Sequence, residues 1–332
     1  MDLVNHLEGR LLFAVPKKGR LQQATLNLLE GADIQFRREN RLDIALVKNL
    51  PIALIFLPAA DIPTFIGEGQ VDLGITGYDQ VQEYEAGYRS SARARRMSGD
   101  LTPADGKPRG CETVLDLGFG ACKLQVQVPV KGSYAHGRDL IGKNIGTSFV
   151  HLAQEYFARL ELEQDGEQAN GDSWEPPRKL KTKIIELSGS VEAACALGVA
   201  DGIVDLVESG ETMRAAGLQA IDTVVESSSI LIKSKAPSQP ELVELIASRI
   251  RGVITAQRYV LCQYNIPRSQ LSQATAVTPG KRAPTITQLE EEGWVAVSAM
   301  VEKKKIAPTM DELAKVGATD ILVIDIHNSR SN

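Results

Sequence analysis

The chain has 332 residues, 43% of them hydrophobic and 24% charged, and its formal net charge is -5. This composition is typical of a globular protein that is long enough for two or three domains, each with its own core. The negative net charge argues against nucleic acid as the main partner, because binding to a phosphate backbone needs a basic surface. Small anionic ligands still fit, since they need only a local basic or amide-lined pocket.

Membrane and metal-bound classes are disfavoured by patterns that the sequence lacks. No apolar run approaches the roughly 20 residues that a membrane-spanning helix needs, and the first residues enter a charged segment rather than the apolar core of a signal peptide. We therefore expect a cytoplasmic protein without membrane contact. The cysteines are widely spaced, with no C-x-x-C pair, which favours reduced structural thiols over a zinc site. They are Cys111, Cys122, Cys195 and Cys262.

The first third of the chain alternates short apolar runs with helical patterns. A strand over residues 11–15 is followed by the basic turn PKKGR and by a helix over 21–29 that Gly31 ends. Further strands are predicted at 43–46, 52–57 and 71–75, with a helix at 62–66. This alternation predicts a mostly parallel α/β sheet.

Two segments interrupt this rhythm. Residues 85–111 are rich in Arg, Gly, Ser and Pro and nearly lack large apolar side chains, and residues 163–178 have the same character. We interpret the first segment as a flexible surface insertion over about residues 85–110. Its arginines could contact a phosphate, but a solvated loop is the simpler interpretation.

A second α/β unit lies between and after these segments. CKLQVQVPV alternates like a strand, GKNIGTS is a short strand that ends in a polar turn, and residues 150–160 have an amphipathic helical pattern. A strand at 183–187, a helix at 191–197 and a strand at 202–206 follow. The first two-thirds of the chain therefore form two similar lobes. Ligands of such folds bind at the carboxyl ends of strands, which predicts a cleft between the lobes.

The C-terminal part of the chain has a different pattern. The Pro-rich segment KAPSQP, at residues 235–240, is typical of a linker and marks a domain boundary. After a helix at about 241–257, the pattern runs strand, helix, strand, strand, helix, strand over residues 259–326. This βαββαβ order predicts a ferredoxin-like domain.

The strongest chemical signal is DGIVDLVESGETMRAAGL, which indicates a strand, a Gly-containing turn and a helix that starts near Glu211. Amides at a helix start favour a phosphate, and hydroxyls of the turn can donate as well. Asp205 can accept hydrogen bonds from ribose hydroxyls. Two acids so near a phosphate are unfavourable unless a divalent cation or sugar hydroxyls compensate their charge, as a Mg²⁺-bound pyrophosphoryl sugar would. The alternative is an ordinary strand-to-helix turn in which Ser209 is the N-cap.

A second signal is the basic turn after the first strand, where Lys17, Lys18 and Arg20 lie close together. This turn could bind the triphosphate of a nucleotide, or it could be a plain surface charge cluster. The spacing of a P-loop is absent, which excludes a P-loop NTPase.

Two further Gly-containing turns, at residues 72–79 and 188–192, are expected at the rim of the cleft, and each could equally be structural. No histidine has the spacing of a metal site or a catalytic triad. His151, in the GTSFVH turn, is a minor candidate for which a capping or surface role is the simpler interpretation.

Five stretches of the sequence together resemble the long form of ATP phosphoribosyltransferase, and the resemblance covers nearly the whole chain except the two interruptions. They are PKKGRL near the start, RLDIAL from Arg41, LPAADIPTFIGEGQVDLGITG from Leu57, SGSVEAACALGVADGIVDLVESGETMRAAGL from Ser188 and TPGKRAPTI from Thr278. The resemblance implies two periplasmic-binding-protein-like (type II) catalytic lobes and a C-terminal ferredoxin-like regulatory domain. Lobe I is then 1–121 with about 219–236, lobe II is 122–218, and the regulatory domain is 241–332.

The reaction that the resemblance implies is attack by N1 of the ATP adenine on C1 of the phosphoribosyl group, the first step of histidine synthesis, with departure of Mg²⁺-complexed pyrophosphate. Such chemistry depends on positioning and electrostatics more than on a general acid or base. By the family pattern, phosphoribosyl pyrophosphate (PRPP) would contact Asp205, Val207, Ser209, Gly210, Glu211 and Thr212. ATP would be met by Lys17, Arg20, Arg41, Asp72 and Glu192.

The resemblance also implies feedback inhibition by L-histidine in the regulatory domain. The positions that match the family's histidine-binding residues are Asn265, Thr285, Met300 and Asp320. Relatives form hexamers built from dimers, so self-association is expected. Some relatives have a carboxylate where this chain has Asn265, which predicts a neutral hydrogen bond to the imidazole here.

Two other classes of function fit parts of the pattern. A two-lobed architecture also occurs in proteins that only bind solutes, since fold does not fix function. The missing export signal, the basic turn and the additional C-terminal domain argue against this alternative. A catalytically inert regulatory paralogue would lose the basic and phosphate-binding residues, yet Arg20 and the ESGET turn are present.

Overall fold

A computed structural model describes residues 7–38, 42–98, 108–166 and 180–330, without the side chains of 92–98. The chain divides into two compact units. One contains Met1–Thr25, Arg37–Val47 and Pro51–Val243, and the other contains Leu26–Phe36, Lys48–Leu50 and Glu244–Asn332. In the described parts of the chain, no helix is long and apolar enough to cross a membrane.

The first unit contains two mixed sheets, each of which is the centre of one lobe. The sheet of the first lobe has the order β2-β3-β1-β4-β11-β5. Its strands are β1 (Leu11–Pro16), β2 (Ile44–Leu46), β3 (Ile52–Leu57), β4 (Leu73–Gly77), β5 (Cys111–Asp116) and β11 (Ser229–Ser234). The central strands are buried on both faces, which explains their nearly continuous apolar sequences.

Helices cover the sheet of the first lobe. They are α2 (Ile62–Gly67) and α3 (Tyr78–Ser98). A further helix, α1 (Gln22–Gly31), begins in the first unit and ends in the second. The core beneath α2 and the start of α3 contains Ile62, Ile66 and Val81, packed against Ala14 of β1 and Ile230 of β11. Burial of these apolar side chains is the main favourable term for this lobe.

The sheet of the second lobe has the order β10-β6-β9-β7-β8. Its strands are β6 (Cys122–Pro129), β7 (Asn144–Thr147), β8 (Lys183–Glu186), β9 (Gly202–Val207) and β10 (Leu218–Ser227). The helices of this lobe are α4 (Val150–Gln164), α5 (Ala193–Ala196) and α6 (Glu211–Ala215). The fully buried Phe157 of α4 packs in the core with Leu124, Val126 and Val204 of the sheet.

The two lobes repeat one topology. In each sheet a first strand is flanked by two parallel strands: β1 by β3 and β4, and β7 by β8 and β9. Next to β4 or β9 lies an antiparallel strand that adjoins a crossover between the lobes, β11 in the first sheet and β6 in the second. The chain crosses between the lobes twice, from β5 to β6 and from β10 to β11. The expectation of two similar lobes is confirmed, as is the periplasmic-binding-protein-like fold class.

The predicted predominance of parallel pairing is wrong. β1 pairs in parallel with β3 and β4, and β7 with β8 and β9, but the remaining pairs of both sheets are antiparallel. Most of the antiparallel pairs involve the strands next to the crossovers, which enter each sheet from the other lobe. Short apolar runs do not reveal strand direction, so the sequence could not show this.

Two boundaries in the first unit differ from the sequence-based assignment. Residues 85–98, interpreted as part of a flexible insertion, continue α3, and residues 99–107 lie outside the described part of the chain. The segment over about 219–236, assigned to lobe I, starts with β10, which pairs with β6 of the second lobe. Only β11 returns to the first sheet. In the second interruption, at residues 163–178, α4 ends at Gln164 and residues 165–166 follow it. Residues 167–178 lie outside the described part of the chain.

The C-terminal part of the second unit is ferredoxin-like, as predicted. Its elements are β12 (Tyr259–Pro267), α8 (Leu271–Val277), β13 (Thr285–Gln288), β14 (Trp294–Glu302), α9 (Ile306–Lys315) and β15 (Thr319–Asp325). They follow α7 (Pro240–Arg258) and form an antiparallel sheet of order β13-β14-β12-β15. The two helices cover one face of this sheet, where Cys262, Tyr264 and Val297 are buried with Leu313 of α9.

Candidate active site

The loops that carry the predicted site residues lie at the carboxyl edges of the two sheets. In the first lobe, the basic turn follows β1 and residues 78–79 follow β4, which is parallel to β1. In the second lobe, residues 187–192 follow β8 and residues 208–212 follow β9, and both strands are parallel to β7. Equivalent loops of the two lobes therefore supply the candidate site.

The loop after β9 is built around a left-handed glycine. Gly210 has φ +75°, a conformation that side chains other than Gly adopt at a cost, and it is buried. Ser209 Oγ accepts a hydrogen bond from Glu211 N at 3.3 Å, and Arg214 Nη2 donates to Ser209 O at 3.1 Å. Within the described residues, the N–H groups of Ser209 and Gly210 have no protein acceptor. These amides are available to an anion.

The helix after this loop contributes less than the sequence suggested. α6 is only 5 residues long, so few aligned peptide dipoles support its N-terminus. The anion-binding capacity of the segment therefore depends on the amides and hydroxyls of the turn itself, from Ser209 to Thr212.

Asp205 is an acidic group of this segment whose pKa the protein environment raises. It lies near the end of β9, and its Oδ1 accepts a hydrogen bond from Leu206 N at 2.8 Å. Burial raises the pKa of Asp205, and the negative charge of Glu192 raises it further. The carboxylate of Asp205, within β9, and that of Glu192, in the loop after β8, therefore interact. Oxygen donors of this kind suit a cation or the hydroxyls of a sugar.

Two cations of the basic turn after β1, Lys17 and Arg20, already have protein partners. Lys17 Nζ forms an ion pair with Asp43 Oδ2 at 2.7 Å, and this pairing lowers the pKa of Asp43. Arg20 Nη1 donates to Gly120 O at 2.5 Å, and its Nη2 lies 3.7 Å from Asp79 Oδ1. Lys18 is exposed. Arg41 lies outside the described residues.

Asp72 does not lie with these cations. It precedes β4, and its Oδ2 accepts from Leu12 N at 3.0 Å near the start of β1, whereas the basic turn follows the end of β1. At about 3.3 Å per residue, Leu12 and Lys17 are ~17 Å apart. Asp72 Oδ1 accepts from Ser238 N at 2.5 Å, and its side chain is 8% exposed. The placement of Asp72 with the ATP-binding residues is therefore corrected to a structural anchor for the segment after β11.

Glu83 joins the two lobes, and no local sequence pattern indicates this role. This residue of α3 accepts hydrogen bonds from His151 N at 2.8 Å and from Leu152 N at 2.9 Å, both in the first turn of α4. Burial raises the pKa of Glu83. The ring of His151 packs so closely on α3 that a Cβ at Gly87 would lie 2.8 Å from His151 Cδ2. His151 thus has a packing role at the junction of the lobes.

The predicted effector residues share one face of the C-terminal sheet. Asn265 Nδ2 donates to Asp320 Oδ2 at 3.0 Å, and Asp320 has a left-handed φ of +50°. Strand register places Met300 opposite Leu261, four residues from Asn265, or ~13 Å. Thr285 lies on the edge strand β13, opposite Ser298 of β14. One chain therefore brings together Asn265 and Asp320, while Thr285 and Met300 lie elsewhere on the same face.

The described residues contain no group of three or more His, Cys, Asp or Glu side chains that could hold a metal ion. Mg²⁺ in proteins is commonly held by one or two carboxylates together with substrate phosphates. The interacting pair Asp205 and Glu192, beside the amide-lined turn, fits that mode of binding.

Comparison with known proteins identifies the family. A family model described as ATP phosphoribosyltransferase matches residues 58–252, and a second, described as "HisG, C-terminal domain", matches residues 256–328. The chain belongs to the ATP phosphoribosyltransferase family. ATP phosphoribosyltransferases of this family are glycosyltransferases that catalyse the first step of histidine biosynthesis, and the chain shares this activity.

Relatives cover the whole chain. The ATP phosphoribosyltransferase of Yarrowia lipolytica is 58% identical over 330 residues, which is 99% of this chain and 100% of the relative. That of Saccharomyces cerevisiae is 54% identical over 331 residues, with the same coverage. A solved ATP phosphoribosyl transferase (HisG:HisZ) complex from Thermotoga maritima shares the fold, with a TM-score of 0.53 and 22% identity over 73% of this chain and 96% of that chain. The solute-binding alternative is set aside.

Proposed function

We propose that the protein binds PRPP at the loop after β9 and ATP at the basic turn after β1, and joins them in the cleft between the two carboxyl edges. The product is 1-(5-phosphoribosyl)-ATP, formed with release of pyrophosphate. The observation that carries this assignment is the amide-lined turn around Gly210, which follows the half-buried carboxylate of Asp205 by a few residues. Mass spectrometry of a reaction mixture tests it: the product mass must require both substrates.

On the PRPP side, the turn amides and the hydroxyls of Ser209 and Thr212 would bind the 5-phosphate, since both hydroxyls are exposed in the loop. Asp205 would accept from ribose hydroxyls, which compensates the burial of its charge. Val207, between them on β9, would contact the sugar. Glu211 begins α6, and its backbone N–H, which donates to Ser209 Oγ at 3.3 Å, would turn to the phosphate, while its carboxylate would not contact it.

On the ATP side, Lys17 and Arg20 would meet the triphosphate, and Glu192 would contact the adenosine from the opposite lobe. Lys17 is exposed, and its present partner Asp43 can be exchanged for phosphate oxygens. Arg41 remains part of this proposal, from the family resemblance alone. The ATP set therefore keeps four of its five predicted members.

The chemistry asks for alignment rather than proton transfer. Nitrogen N1 of adenine attacks C1 of the ribose as the C1–O bond to pyrophosphate breaks, so the two groups must lie on opposite sides of C1. Holding each substrate on its own lobe gives this arrangement when the lobes meet. A bound divalent cation, which we propose to be Mg²⁺, neutralises charge on the departing pyrophosphate. Asp205 would hold it together with the pyrophosphate oxygens.

Replacement of Thr212 by valine tests the PRPP loop. The substitution preserves shape and removes one hydroxyl, so PRPP should bind about 10- to 100-fold more weakly, because a hydrogen bond to a charged group is worth about 1.5 to 3 kcal/mol. Calorimetric titration with PRPP measures this effect. Thr223→Val is the matched control: Thr223 Oγ1 accepts from Gln125 Nε2 on an exposed strand, and PRPP affinity should not change. Equal affinities for wild type and Thr212→Val would remove Thr212 from the site.

The C-terminal domain is proposed to bind L-histidine and to pair with a second copy of the chain. Histidine is too short to bridge Asn265, Thr285 and Met300 within one domain, so a closed site needs residues from another copy. The uncovered face of the sheet also exposes Leu322 and Ile324, at 56% and 46%. Large exposed apolar residues on one face are typical of association surfaces. We propose a homohexamer of dimers and a cytoplasmic location, as expected for an enzyme that consumes ATP and PRPP.

Replacement of Asp320 by asparagine tests the effector site without disturbing the backbone, because Asn tolerates a left-handed φ. Loss of the carboxylate should raise the histidine concentration for half-inhibition by about tenfold or more, since an ion pair with the amino group or imidazolium is lost. The control is Asp325→Asn on the same strand, which breaks only an ion pair with Lys303. Steady-state rates at varied histidine concentration measure the inhibition. Unchanged inhibition of the Asp320→Asn variant would place the effector site elsewhere.

A further inference from the structure

Asp79 is the most buried carboxylate at the carboxyl edge of the first lobe. It lies in the first turn of α3, and its side chain is 2% exposed. Ser227 Oγ donates to Asp79 Oδ1 at 2.5 Å and accepts from Asp79 N at 3.0 Å. Gln80 Nε2 donates to Asp79 Oδ2 at 2.8 Å. A buried carboxylate with this many fixed partners can adopt only one geometry.

Arg20 lies between this carboxylate and the other crossover of the chain. Its Nη2 is 3.7 Å from Asp79 Oδ1, and its Nη1 donates at 2.5 Å to Gly120 O, in the segment between β5 and β6. Ser227 ends β10, next to the second crossover, and Tyr78 N donates to Ser228 O there at 2.9 Å. Arg20, Asp79 and Ser227 therefore connect the basic turn to both crossovers.

The charges favour one arrangement of this group. A carboxylate removed from water needs a nearby cation or several hydrogen bonds, and Asp79 has both. The guanidinium of Arg20 is planar and carries five donors in a fixed fork, so fixing one edge also fixes the direction of the other. The Arg20 side chain is 25% exposed, so a ligand can reach it.

We propose that Asp79 and Ser227 are positioning residues for ATP binding. They fix the Arg20 guanidinium between the two crossovers. Its exposed N–H donors then contact the triphosphate only when the two lobes have the relative orientation that these contacts define. ATP affinity and the arrangement of the lobes are thereby linked through one side chain. The inference rests on the proposed contact between Arg20 and ATP.

A double-mutant cycle in steady-state kinetics tests the coupling. Asp79→Asn should raise the KM for ATP about tenfold and change the KM for PRPP less than twofold. In an Arg20→Ala background, the same substitution should change the KM for ATP less than twofold, because the residue that it positions is gone. An Asp79→Asn effect of equal size in both backgrounds would show a role independent of Arg20 and would overturn the inference.

A milder pair of variants keeps the test decisive if Asp79→Asn folds poorly. Ser227→Ala removes the hydroxyl that holds Asp79 and should raise the KM for ATP about fivefold. Ser229→Ala is the matched control, because Ser229 is also buried and its Oγ has no hydrogen-bond partner among the described residues. Equal KM values for the two variants would contradict the proposal.

The outcomes also separate this inference from the proposed function. If the wild-type protein forms no product from ATP and PRPP, the proposed function fails. If Arg20→Ala leaves the KM for ATP unchanged, the contact of Arg20 with ATP and the inference fail together. If Arg20→Ala raises that KM but Ser227→Ala and Asp79→Asn do not, only the inference fails.

Discussion

Replacement of Asp205 by asparagine is expected to lower kcat/KM for PRPP by about 10- to 100-fold. The carboxamide has the same shape, but it loses the charge that would bind ribose hydroxyls and the cation, and a hydrogen bond to a charged group is worth about 1.5 to 3 kcal/mol. Initial rates at varied PRPP measure the change. Asp201→Asn is the control: Asp201 precedes β9, whereas Asp205 lies near its carboxyl end, and Asp201 Oδ2 accepts from Asn144 N at 2.9 Å. Its kinetics should match those of the wild type.

The same substitution should affect pH dependence in a defined direction. Burial, followed by the charge of Glu192, raises the pKa of Asp205 in the folded protein. The folded state therefore binds the proton more tightly than the unfolded chain, so Asp205 costs stability as the pH rises through its folded pKa. Asp205→Asn should raise the melting temperature at neutral pH while it lowers activity. It should also remove the fall in activity that protonation of Asp205 causes at low pH. A variant that is less stable than the wild type at neutral pH would contradict this description of the site.

Replacement of Glu83 by alanine is expected to destabilise the junction of the lobes. Two backbone N–H groups of α4, from His151 and Leu152, would lose their acceptor. The loss should amount to about 2 kcal/mol, which corresponds to a fall in melting temperature of about 4 to 8 °C for a unit of this size. Thermal unfolding followed by circular dichroism measures it.

The control for Glu83 is its neighbour on α3. Gln82 Nε2 donates only to Glu85 Oε2, at 3.3 Å within the same helix, so Gln82→Ala should change the melting temperature by less than about 2 °C. Added ATP and PRPP should restore more stability to Glu83→Ala than to Gln82→Ala, because ligands that bridge the lobes replace the lost contact. Equal melting temperatures for the two variants would show that Glu83 does not hold the lobes together.

Much of the fold follows from local patterns in the sequence. β3 and β9 are apolar runs bounded by turn residues, and the structure places them within one residue of the prediction. The C-terminal βαββαβ order could be predicted because its strands alternate cleanly, as in β12, and short turns separate them. In such segments, local propensity and tertiary burial favour the same structure.

Other elements depend on contacts that no local pattern reveals. The second half of α3 has many Arg, Ala and Ser residues and no apolar stripe, yet these include good helix formers, and α3 packs on α4 of the other lobe. β10 is an edge strand with mixed exposure and two register irregularities, which blur its alternation. The lobe to which such a segment belongs is decided by its pairing partner.

The residues of the candidate site also fall into those that local sequence patterns predict and those that depend on distant contacts. The turn around Gly210 could be predicted because Gly, Ser and Thr after a strand are local signals for it. The turn that ends at Asp79 was expected at the rim of the cleft, but its partner Ser227 could not be predicted, because Ser227 lies far along the chain. Glu83 could not be predicted for the same reason, since its partners are at the start of α4. Asp72 shows the opposite error: its sequence context favours a site, but the parallel register of β1 and β4 places it at the other edge of the sheet.

The most direct test of the central claim is near-ultraviolet absorbance of the purified protein with ATP, PRPP and Mg²⁺, because alkylation of adenine at N1 changes its chromophore. We predict a spectral change that requires both substrates, is lost when Mg²⁺ is removed by a chelator, and diminishes when L-histidine is added. No change with both substrates and Mg²⁺ present, while calorimetry shows that ATP and PRPP bind, would contradict the assignment of the cleft as the site of phosphoribosyl transfer.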